Sequence, residues 1–300
     1  MKKQRATQTF NPLQLSFEFN QLPMEKDRNF HLGGRSFYFF DFDDNLVFLQ
    51  TTVILFHKYN QTELELSSGE FARIHRDVGV KGPYQDYFLD FNDEHGTFRN
   101  CRDQFFKTQD INLINQEKFV RDIEHVLKTN LTNFKAPSWD SFYHATYNHR
   151  PVSIITARGH QIPTIKTGID KFVERGHLPH SPNYLTIYPV SNIETRIELG
   201  DHHLNLSVAE LKKLAIRKSV EKAIEIYGYS PYHRFGMSDD DFKNIELITE
   251  EMRALKRIYP EMTFYVIETQ KDSLTKFEIL EHETREFQLS SIHAKQLSLF

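Results

Sequence analysis

Residues 36–46 read Ser-Phe-Tyr-Phe-Phe-Asp-Phe-Asp-Asp-Asn-Leu, a short apolar run that passes directly into a cluster of acidic side chains. Gly33-Gly34 stand just before this run, and the aromatic residues 37–40 are typical of a buried β-strand. Asp41 and Asp43 then fall at the carboxyl end of that strand, where open α/β sheets bind their ligands. The stretch therefore predicts a central strand with a functional site beside it.

Downstream of residue 150 the sequence alternates regularly between strand and helix patterns. Predicted strands cover residues 152–155, 184–188, 233–237 and 264–267, and predicted helices cover 163–175, 207–227 and 242–258. The motif Ser207-Val-Ala-Glu210 is a capping box, which marks the start of the second of these helices. Strands that alternate with helices predict an α/β fold, with a Rossmann-like parallel sheet flanked by helices.

A long insert separates the first predicted strand from the strand at 152–155. Residues 46–59 and 62–66 predict a β-hairpin that turns near Asn60-Gln61, and helical patterns follow at 67–77, 116–128 and 138–147. We therefore divide the chain into an N-terminal extension (1–30), a core (31–60 and 150–285), an insert (61–149) and a C-terminal tail (286–300).

The composition excludes several classes of protein. The chain has 300 residues, of which 39% are apolar and 26% charged, as in an ordinary globular protein, and the net charge of −4 argues against nucleic-acid binding by bulk charge. The single cysteine, Cys101, excludes an internal disulfide framework and a cysteine zinc site. Residues 1–20 do not resemble a signal peptide, and no stretch approaches the roughly 20 apolar residues of a membrane helix. We expect a cytoplasmic protein without membrane contacts.

Polar side chains follow two more of the predicted strands. Thr156 comes directly after residues 152–155, and Ser238 with Asp239-Asp240-Asp241 follows residues 233–237. Clustered carboxylates repel one another and need a cation or a proton to coexist. Oxygen ligands without cysteine favour a hard ion such as Mg²⁺. The sequence predicts a magnesium site at this edge of the sheet and leaves open which of the three consecutive acids binds the metal.

These segments together resemble the haloacid dehalogenase (HAD) superfamily of phosphohydrolases. Residues 41–46 resemble its first motif, and Thr156, the lysine-bearing helix 207–227 and Asp239-Asp240 resemble its second, third and fourth motifs, in the same order. The resemblance covers about residues 35–60 and 150–270. It implies that the insert at 61–149 forms a flap or cap over the site, a lid that excludes water and contacts the leaving group. The family commonly has Thr or Val at the position of Asn45, and Gly-Asp where this chain has Ser238-Asp239.

The resemblance implies roles for the carboxylates. Asp41 would be the nucleophile that forms an aspartyl-phosphate, and it would also bind Mg²⁺. Asp43 would be the general acid and base, and we include it among the metal ligands. Asp239 and Asp240 would complete the metal site. An Asp at position 43 favours phosphatase or phosphotransferase chemistry over dehalogenation.

The resemblance also implies roles for other polar residues. Thr156 would donate a hydrogen bond to the phosphoryl group, and Lys218 would stabilise its charge, with Lys213 as the second choice. Arg158 and Asn45 are candidate substrate-binding residues, although Arg158 equally suits a structural ion pair. In the insert, His95, Arg99 and Arg102 suit either an anionic substrate or an exposed loop.

The last five residues carry a separate motif. Gln296, Leu297, Ser298, Leu299 and Phe300 resemble the pentapeptide by which bacterial replication and repair proteins dock onto the DNA sliding clamp. A clamp partner would imply phosphorylated DNA ends as substrates, for instance a 3′-phosphate. The tail equally suits packing against its own domain.

Three functions follow from these observations. The first is a Mg²⁺-dependent phosphatase, recruited to DNA ends if the tail binds a clamp. The second is a phosphatase of small metabolites such as nucleotide or sugar phosphates. The third is a non-catalytic adaptor that keeps the HAD scaffold and binds the clamp.

Overall fold

The structure of the protein is a computed structural model that describes residues 23–92, 94–104, 108–129, 134–270 and 273–287. The strands are β1 Ser36–Phe40, β2 Thr52–His57, β3 Glu63–Ser67, β4 Tyr87–Phe88, β5 Pro151–Thr156, β6 Asn183–Pro189, β7 Arg234–Asp239, β8 Thr263–Gln270, β9 Ser273–Ile279 and β10 Thr284–Phe287. The α-helices are α1 Ser68–Ile74, α2 Ile111–Ile114, α3 Lys118–Thr129, α4 Trp139–Tyr147, α5 Ile162–Glu174, α6 Ile193–Glu198, α7 Val208–Tyr227 and α8 Phe242–Ile258. Short 3₁₀ helices cover Phe30–Leu32, Gly82–Tyr84 and Arg99–Cys101.

The main sheet has seven strands in the order β10-β9-β8-β7-β1-β5-β6. The strands β8, β7, β1, β5 and β6 run parallel to one another, while β9 and β10 extend the sheet from β8 as antiparallel strands. The prediction of an α/β fold with a mostly parallel sheet is confirmed, and β1 is the middle one of the five parallel strands. The strands β9 and β10 were not predicted, because residues 273–287 alternate weakly and β10 is exposed along its whole length.

Helices cover both faces of this sheet, because successive side chains of a strand point to opposite sides. Phe37 and Phe39 of β1 pack in a cluster with α7 and α8. Tyr38 and Phe40 pack in a second cluster with α3, α4 and α5. The aromatic run that begins the sequence motif therefore fills the core on both sides and fixes the end of β1.

The predicted hairpin exists, but it belongs to a second sheet. β2 pairs with β3 in an antiparallel register that opposes Phe56 to Glu63, and β4 pairs on the other edge of β2. The three strands form a sheet of their own in the order β3-β2-β4. The boundary predicted after residue 60 cuts through this hairpin, and β2 belongs with the insert.

The helical part of the predicted cap is not a cap. Phe119 and Ile123 of α3 and Trp139 and Phe142 of α4 are fully buried in the cluster that holds Tyr38 and Phe40 of the main sheet, so α3 and α4 are core helices. At Gly168 of α5 an added Cβ would lie 2.4 Å from the ring of Phe119. This close approach shows how tightly α3 packs on the core.

The ends of the chain require two further corrections. The end of the N-terminal extension is attached to the core, because Asp27 accepts from the backbone N–H of Ser36 at 3.0 Å and pairs with Arg150 at 2.8 Å. The predicted tail begins too early, since β10 continues to Phe287. Residues 1–22 and the predicted clamp motif, Gln296 to Phe300, lie outside the described residues. None of the helices in the described part of the chain combines the length and apolar composition that crossing a bilayer requires.

Candidate active site

The candidate site lies where β1 and its two parallel neighbours end. Asp41 follows β1 directly, and its backbone N–H donates to the carbonyl of Ser238 at 3.0 Å. β7 ends at Asp239, and β5 ends at Thr156, two residues beyond the pairing of Ile154 with Phe40. The parallel register therefore brings residues that are far apart in the sequence to one edge of the sheet.

Three carboxylates meet at this edge. One carboxylate oxygen each of Asp41, Asp239 and Asp240 lie within 4.8 Å of one another. Asp41 and Asp239 are buried, whereas Asp240 is exposed at the mouth of the site. Asp241, the third consecutive acid, caps α8 by accepting from the backbone N–H of Lys243 at 2.8 Å. Of the three consecutive acids, Asp239 and Asp240 therefore belong to the carboxylate cluster, whereas Asp241 caps a helix.

The cation of the site is Lys212, which the sequence analysis did not select. Its Nζ lies 2.9 Å from Asp41 Oδ1 and 2.6 Å from Asp239 Oδ2, and the residue is 1% exposed. The prediction of Lys218 is wrong, because it is exposed and lies about 240° further round α7. The second choice, Lys213, pairs instead with Glu250 at 3.5 Å on the protein surface.

The buried positions of α7 contain the signal that identifies Lys212. Ala209, Lys212, Ile216 and Ser219 are all buried, and they follow one another at intervals of three, four and three residues. This spacing defines the face of a helix that points to the core. A lysine on that face needs a buried partner of opposite charge. The prediction of Lys218 used only the sequence distance to the fourth motif and did not take this buried face into account.

Burial and charge shift the pKa values of the cluster. Burial raises the pKa of Asp41 well above its usual range, against the opposing effect of Lys212. The pKa of Asp240 is raised to about 7, first by desolvation beside the buried cluster and then by the charge of Asp239, although the residue itself is exposed. The two carboxylates raise the pKa of Lys212 in spite of its burial. Three carboxylates therefore share the neighbourhood of one ammonium group, that of Lys212.

Asn45 is a structural connector and not a substrate ligand. Its Nδ2 donates to the carbonyl of Asp41 at 2.9 Å and to Ser238 Oγ at 2.9 Å. Its Oδ1 accepts from Ser138 Oγ and from Thr269 Oγ1, each at 3.0 Å. The amide is fully buried and its hydrogen-bonding capacity is used, so the prediction of substrate binding is wrong. Asn45 fixes the loop after β1 to β7, β8 and the start of α4.

Two roles were considered for Arg158, substrate binding and a structural ion pair. The structure shows the ion pair. Its Nε and Nη2 donate to the two carboxylate oxygens of Asp43 at 2.8 and 2.6 Å, and Nη2 also donates to Thr51 Oγ1 at 2.9 Å. The guanidinium stacks on Phe119, 4.7 Å from its ring centroid, and Arg158 is 3% exposed. Arg158 therefore orients Asp43 and is not open to substrate. The side chain of Asp43 is not part of the three-carboxylate cluster, contrary to its prediction as a metal ligand.

Thr156 lies where the sequence analysis placed it. It is fully buried at the end of β5, and its Oγ1 accepts from the backbone N–H of Arg158 at 3.3 Å. The insert reaches the same region through Ser68, which begins α1 and donates to Asp44 Oδ2 at 2.9 Å. Asp44 adopts a positive φ of 56°, which turns the loop after β1 toward the insert.

The donor set fits a hard divalent cation. Asp41, Asp239 and Asp240 offer oxygen ligands only, and burial, with a smaller contribution from their mutual repulsion, raises the pKa of Asp41 and of Asp240. Mg²⁺ binds such oxygen ligands and removes this repulsion. The arrangement is therefore able to combine a buried carboxylate, a metal and an ammonium group around one small anion.

No protein-family model, no curated protein and no solved structure matches this chain. The fold and the geometry of the site define the chain as an α/β protein with a mostly parallel sheet and an acidic cluster at its carboxyl edge.

Proposed function

We propose that this protein is a Mg²⁺-dependent phosphohydrolase of the HAD type, with Asp41 as its nucleophile. The observation that carries the proposal is the contact of Lys212 with both Asp41 and Asp239, beside Asp240, at the carboxyl end of the central strand. A buried nucleophile, a cation and metal-binding carboxylates in one place are what phosphoryl transfer requires. The single cysteine is compatible with a reducing compartment.

Asp41, Asp239 and Asp240 would hold the Mg²⁺, which neutralises phosphate oxygens when it is bound. A carboxylate oxygen of Asp41 attacks the phosphorus of a phosphate monoester, and the bond from phosphorus to the ester oxygen breaks. The leaving oxygen takes a proton from Asp43. A water then gives this proton back to Asp43 and attacks the aspartyl-phosphate, which releases inorganic phosphate and restores Asp41.

The remaining side chains orient and neutralise the reacting groups. Lys212 supplies a fixed positive charge beside Asp41, and Thr156 supplies a hydroxyl for a phosphoryl oxygen. Arg158 binds both oxygens of Asp43 but leaves each a second lone pair for water or the leaving group. Arg158 is therefore a positioning residue in this mechanism.

Release of phosphate from p-nitrophenyl phosphate with and without Mg²⁺ tests the proposal. Asp41→Asn is expected to remove activity by a factor of about 1,000 or more, because the amide is not a nucleophile. The matched control is Asp241→Asn, which removes one acid from the same edge and keeps an equally good helix cap. Equal activity of the two variants would contradict the proposal.

The pentapeptide Gln296–Phe300 supports a second candidate function, recruitment by the bacterial sliding clamp to phosphorylated DNA ends. Binding of the full chain to a purified clamp tests it, with Leu297→Ala and Phe300→Ala as variants expected to abolish binding. If both variants bind as well as the unmodified chain, recruitment by this motif is excluded. The adaptor alternative is separated by Asp41→Asn, which would leave an adaptor fully functional in cells.

A further inference from the structure

A polar network begins at Asp43 and continues through Arg158, Thr51 and Asp122 to Lys118. Arg158 binds both oxygens of Asp43, and its Nη2 also donates to Thr51 Oγ1 at 2.9 Å. The hydroxyl of Thr51 donates in turn to Asp122 Oδ2 at 2.7 Å, and the other oxygen of Asp122 pairs with Lys118. None of the roles assigned above uses Thr51 or Asp122.

The two ends of the polar network are open to solvent, whereas its middle is buried. The side chains of Asp43 and Lys118 are 24% and 28% exposed, while Arg158, Thr51 and Asp122 are buried. Removing one partner from a buried hydrogen-bonded pair leaves the other without compensation, which favours a single arrangement of the buried groups. The buried middle therefore restricts the orientation of Asp43, the carboxylate at the open end.

The helix α3 supports Arg158 by two contacts. The guanidinium carbon lies 4.7 Å from the ring centroid of Phe119. Asp122 comes three residues after Phe119, on the same side of the helix, and acts on Arg158 through Thr51. Nη1 of Arg158 has no hydrogen-bond partner among the described residues, so the fork is held there by Asp43 and Thr51.

The hydroxyl of Thr51 is the link on which this support depends. It accepts from Arg158 and donates to Asp122, so both of these roles are filled by one oxygen. Without it, the ion pair of Arg158 with Asp43 keeps its own two hydrogen bonds but loses its attachment to α3. The carboxylate and the guanidinium are then able to shift together.

We propose that Thr51 and Asp122 are positioning residues for the acid–base chemistry of Asp43 and act through Arg158. The inference rests on the proposed phosphohydrolase function, in which the leaving oxygen takes its proton from Asp43. The proton donor must lie within hydrogen-bond reach of the leaving oxygen, so a change in its orientation slows this step.

The dependence of the rate on the leaving group separates this role from a purely structural one. Phenolate is a strong base that needs a proton as it departs, whereas nitrophenolate is a much weaker base and needs little help from an acid. A misoriented Asp43 therefore slows the hydrolysis of phenyl phosphate more than that of p-nitrophenyl phosphate. General damage to the fold or to the metal site lowers both rates alike.

The first experiment replaces the hydroxyl of Thr51 in the full chain with Mg²⁺ present. Thr51→Val keeps the shape of the side chain and is expected to lower kcat/KM for phenyl phosphate about tenfold, and for p-nitrophenyl phosphate less than about threefold. Thr51→Ser keeps the hydroxyl and is expected to restore the ratio of the two esters to that of the unmodified protein. An equal loss on both esters in Thr51→Val would overturn the inference.

The second experiment removes the acceptor on α3, and it decides the question if Thr51→Val does not fold. Asp122→Ala is expected to shift the ratio of the two esters in the same direction, by about threefold to tenfold. The matched control is Glu124→Ala, because Glu124 lies about 200° further round α3. It pairs with Lys128 and Lys171, and its removal is expected to leave the ratio unchanged. The same ratio in Asp122→Ala and Glu124→Ala would refute the role of Asp122.

Asp43→Asn provides the reference for both experiments. It removes the acid itself and is expected to shift the ratio further than either positioning variant, since a general acid contributes about 100-fold or more. If it shifts the ratio but Thr51→Val and Asp122→Ala do not, the inference fails alone. The proposed function fails separately, if the unmodified protein hydrolyses neither ester or if Asp41→Asn hydrolyses both normally.

Discussion

At the scale of single residues, the proposed chemistry depends on one buried lysine. Lys212 lies between Asp41 and Asp239 with nearly all of its surface buried. A buried ion pair contributes little to stability by itself, and removing one partner leaves an uncompensated buried charge. In the proposed mechanism, this position places a fixed positive charge beside the incoming phosphate.

Replacing this lysine provides a direct test. Lys212→Met is expected to lower kcat/KM for p-nitrophenyl phosphate by at least about 100-fold, because a fixed charge at the reacting phosphate is lost. Lys218→Met, on the exposed face of the same helix, should stay within about twofold. Circular dichroism and steady-state kinetics of the two variants check the prediction. Comparable activity in both would exclude the role of Lys212.

The titration of Asp103 predicts a dependence of stability on pH. Burial raises the pKa of Asp103 from 3.8 to about 7. Because the folded state holds this proton more tightly than the unfolded chain, the contribution of Asp103 to stability is fully present below about pH 4. It is lost as the pH rises toward about 7.

Asp103→Asn isolates this contribution, because an amide oxygen can still accept from the Gln161 N–H and the Thr164 hydroxyl. We expect the variant to have a higher melting temperature than the unmodified protein at pH 8. The difference in melting temperature should be smaller at pH 5. Asp110→Asn, which changes an exposed capping acid on α2, is the control. An equal difference at both pH values for Asp103→Asn would refute the assignment.

At the scale of elements, two helices begin with the same capping box but stand in different places. Ser207 with Glu210 starts α7, which carries Lys212, and Ser67 with Glu70 starts α1 in the insert. In both boxes the serine accepts from the backbone N–H of the glutamate three residues later. Comparing variants of the two boxes therefore distinguishes the effect of helix stability from the effect on the site.

Ser207→Ala and Ser67→Ala are each expected to lower the stability of their helix by about 1 kcal/mol. Only Ser207→Ala is expected to lower kcat as well, by about threefold to tenfold, because fraying of the first turn of α7 loosens Lys212. Urea denaturation and steady-state kinetics on p-nitrophenyl phosphate check both variants. A larger loss of kcat for Ser67→Ala would contradict the assignment of α7.

At the scale of the whole molecule, the insert is divided between two structures. Its strands form a separate small sheet, whereas α3 and α4 pack into the core of the main sheet. Trp139, the single tryptophan of the chain, lies in α4 and is 1% exposed beside this core. Its fluorescence therefore reports on the core, although it falls within the segment that the sequence analysis assigned to the cap.

Unfolding in urea tests this division. The transition of Trp139 fluorescence is expected to coincide with the loss of helix and sheet signal in far-ultraviolet circular dichroism, because α4 and β1 share one cluster. Two transitions, with the fluorescence changing at lower urea, would show that α4 unfolds with a separate cap. Phe142→Ala in the same helix should shift both signals together by about 3–5 kcal/mol of stability.

The sequence by itself determined the α/β class, the central strand, the helices at 118–129, 162–174, 208–227 and 242–258 within a few residues, and the acids Asp41, Asp239 and Asp240 at one edge. These features follow from local patterns, namely hydrophobic periodicity, a capping box and polar residues directly after strands. The resemblance to the HAD superfamily added the roles of these residues, which remain proposals.

Only the tertiary structure decided which partners meet. Lys212, and not Lys218, contacts Asp41. Arg158 is paired with Asp43, and Asn45 is hydrogen-bonded within the loop after β1. The edge strand β10 and the division of the insert likewise depend on contacts between distant segments. Local patterns predict which face of an element is apolar. They do not contain the distances across the core, and these distances determine which lysine and which arginine contact the carboxylates and where the sheet ends.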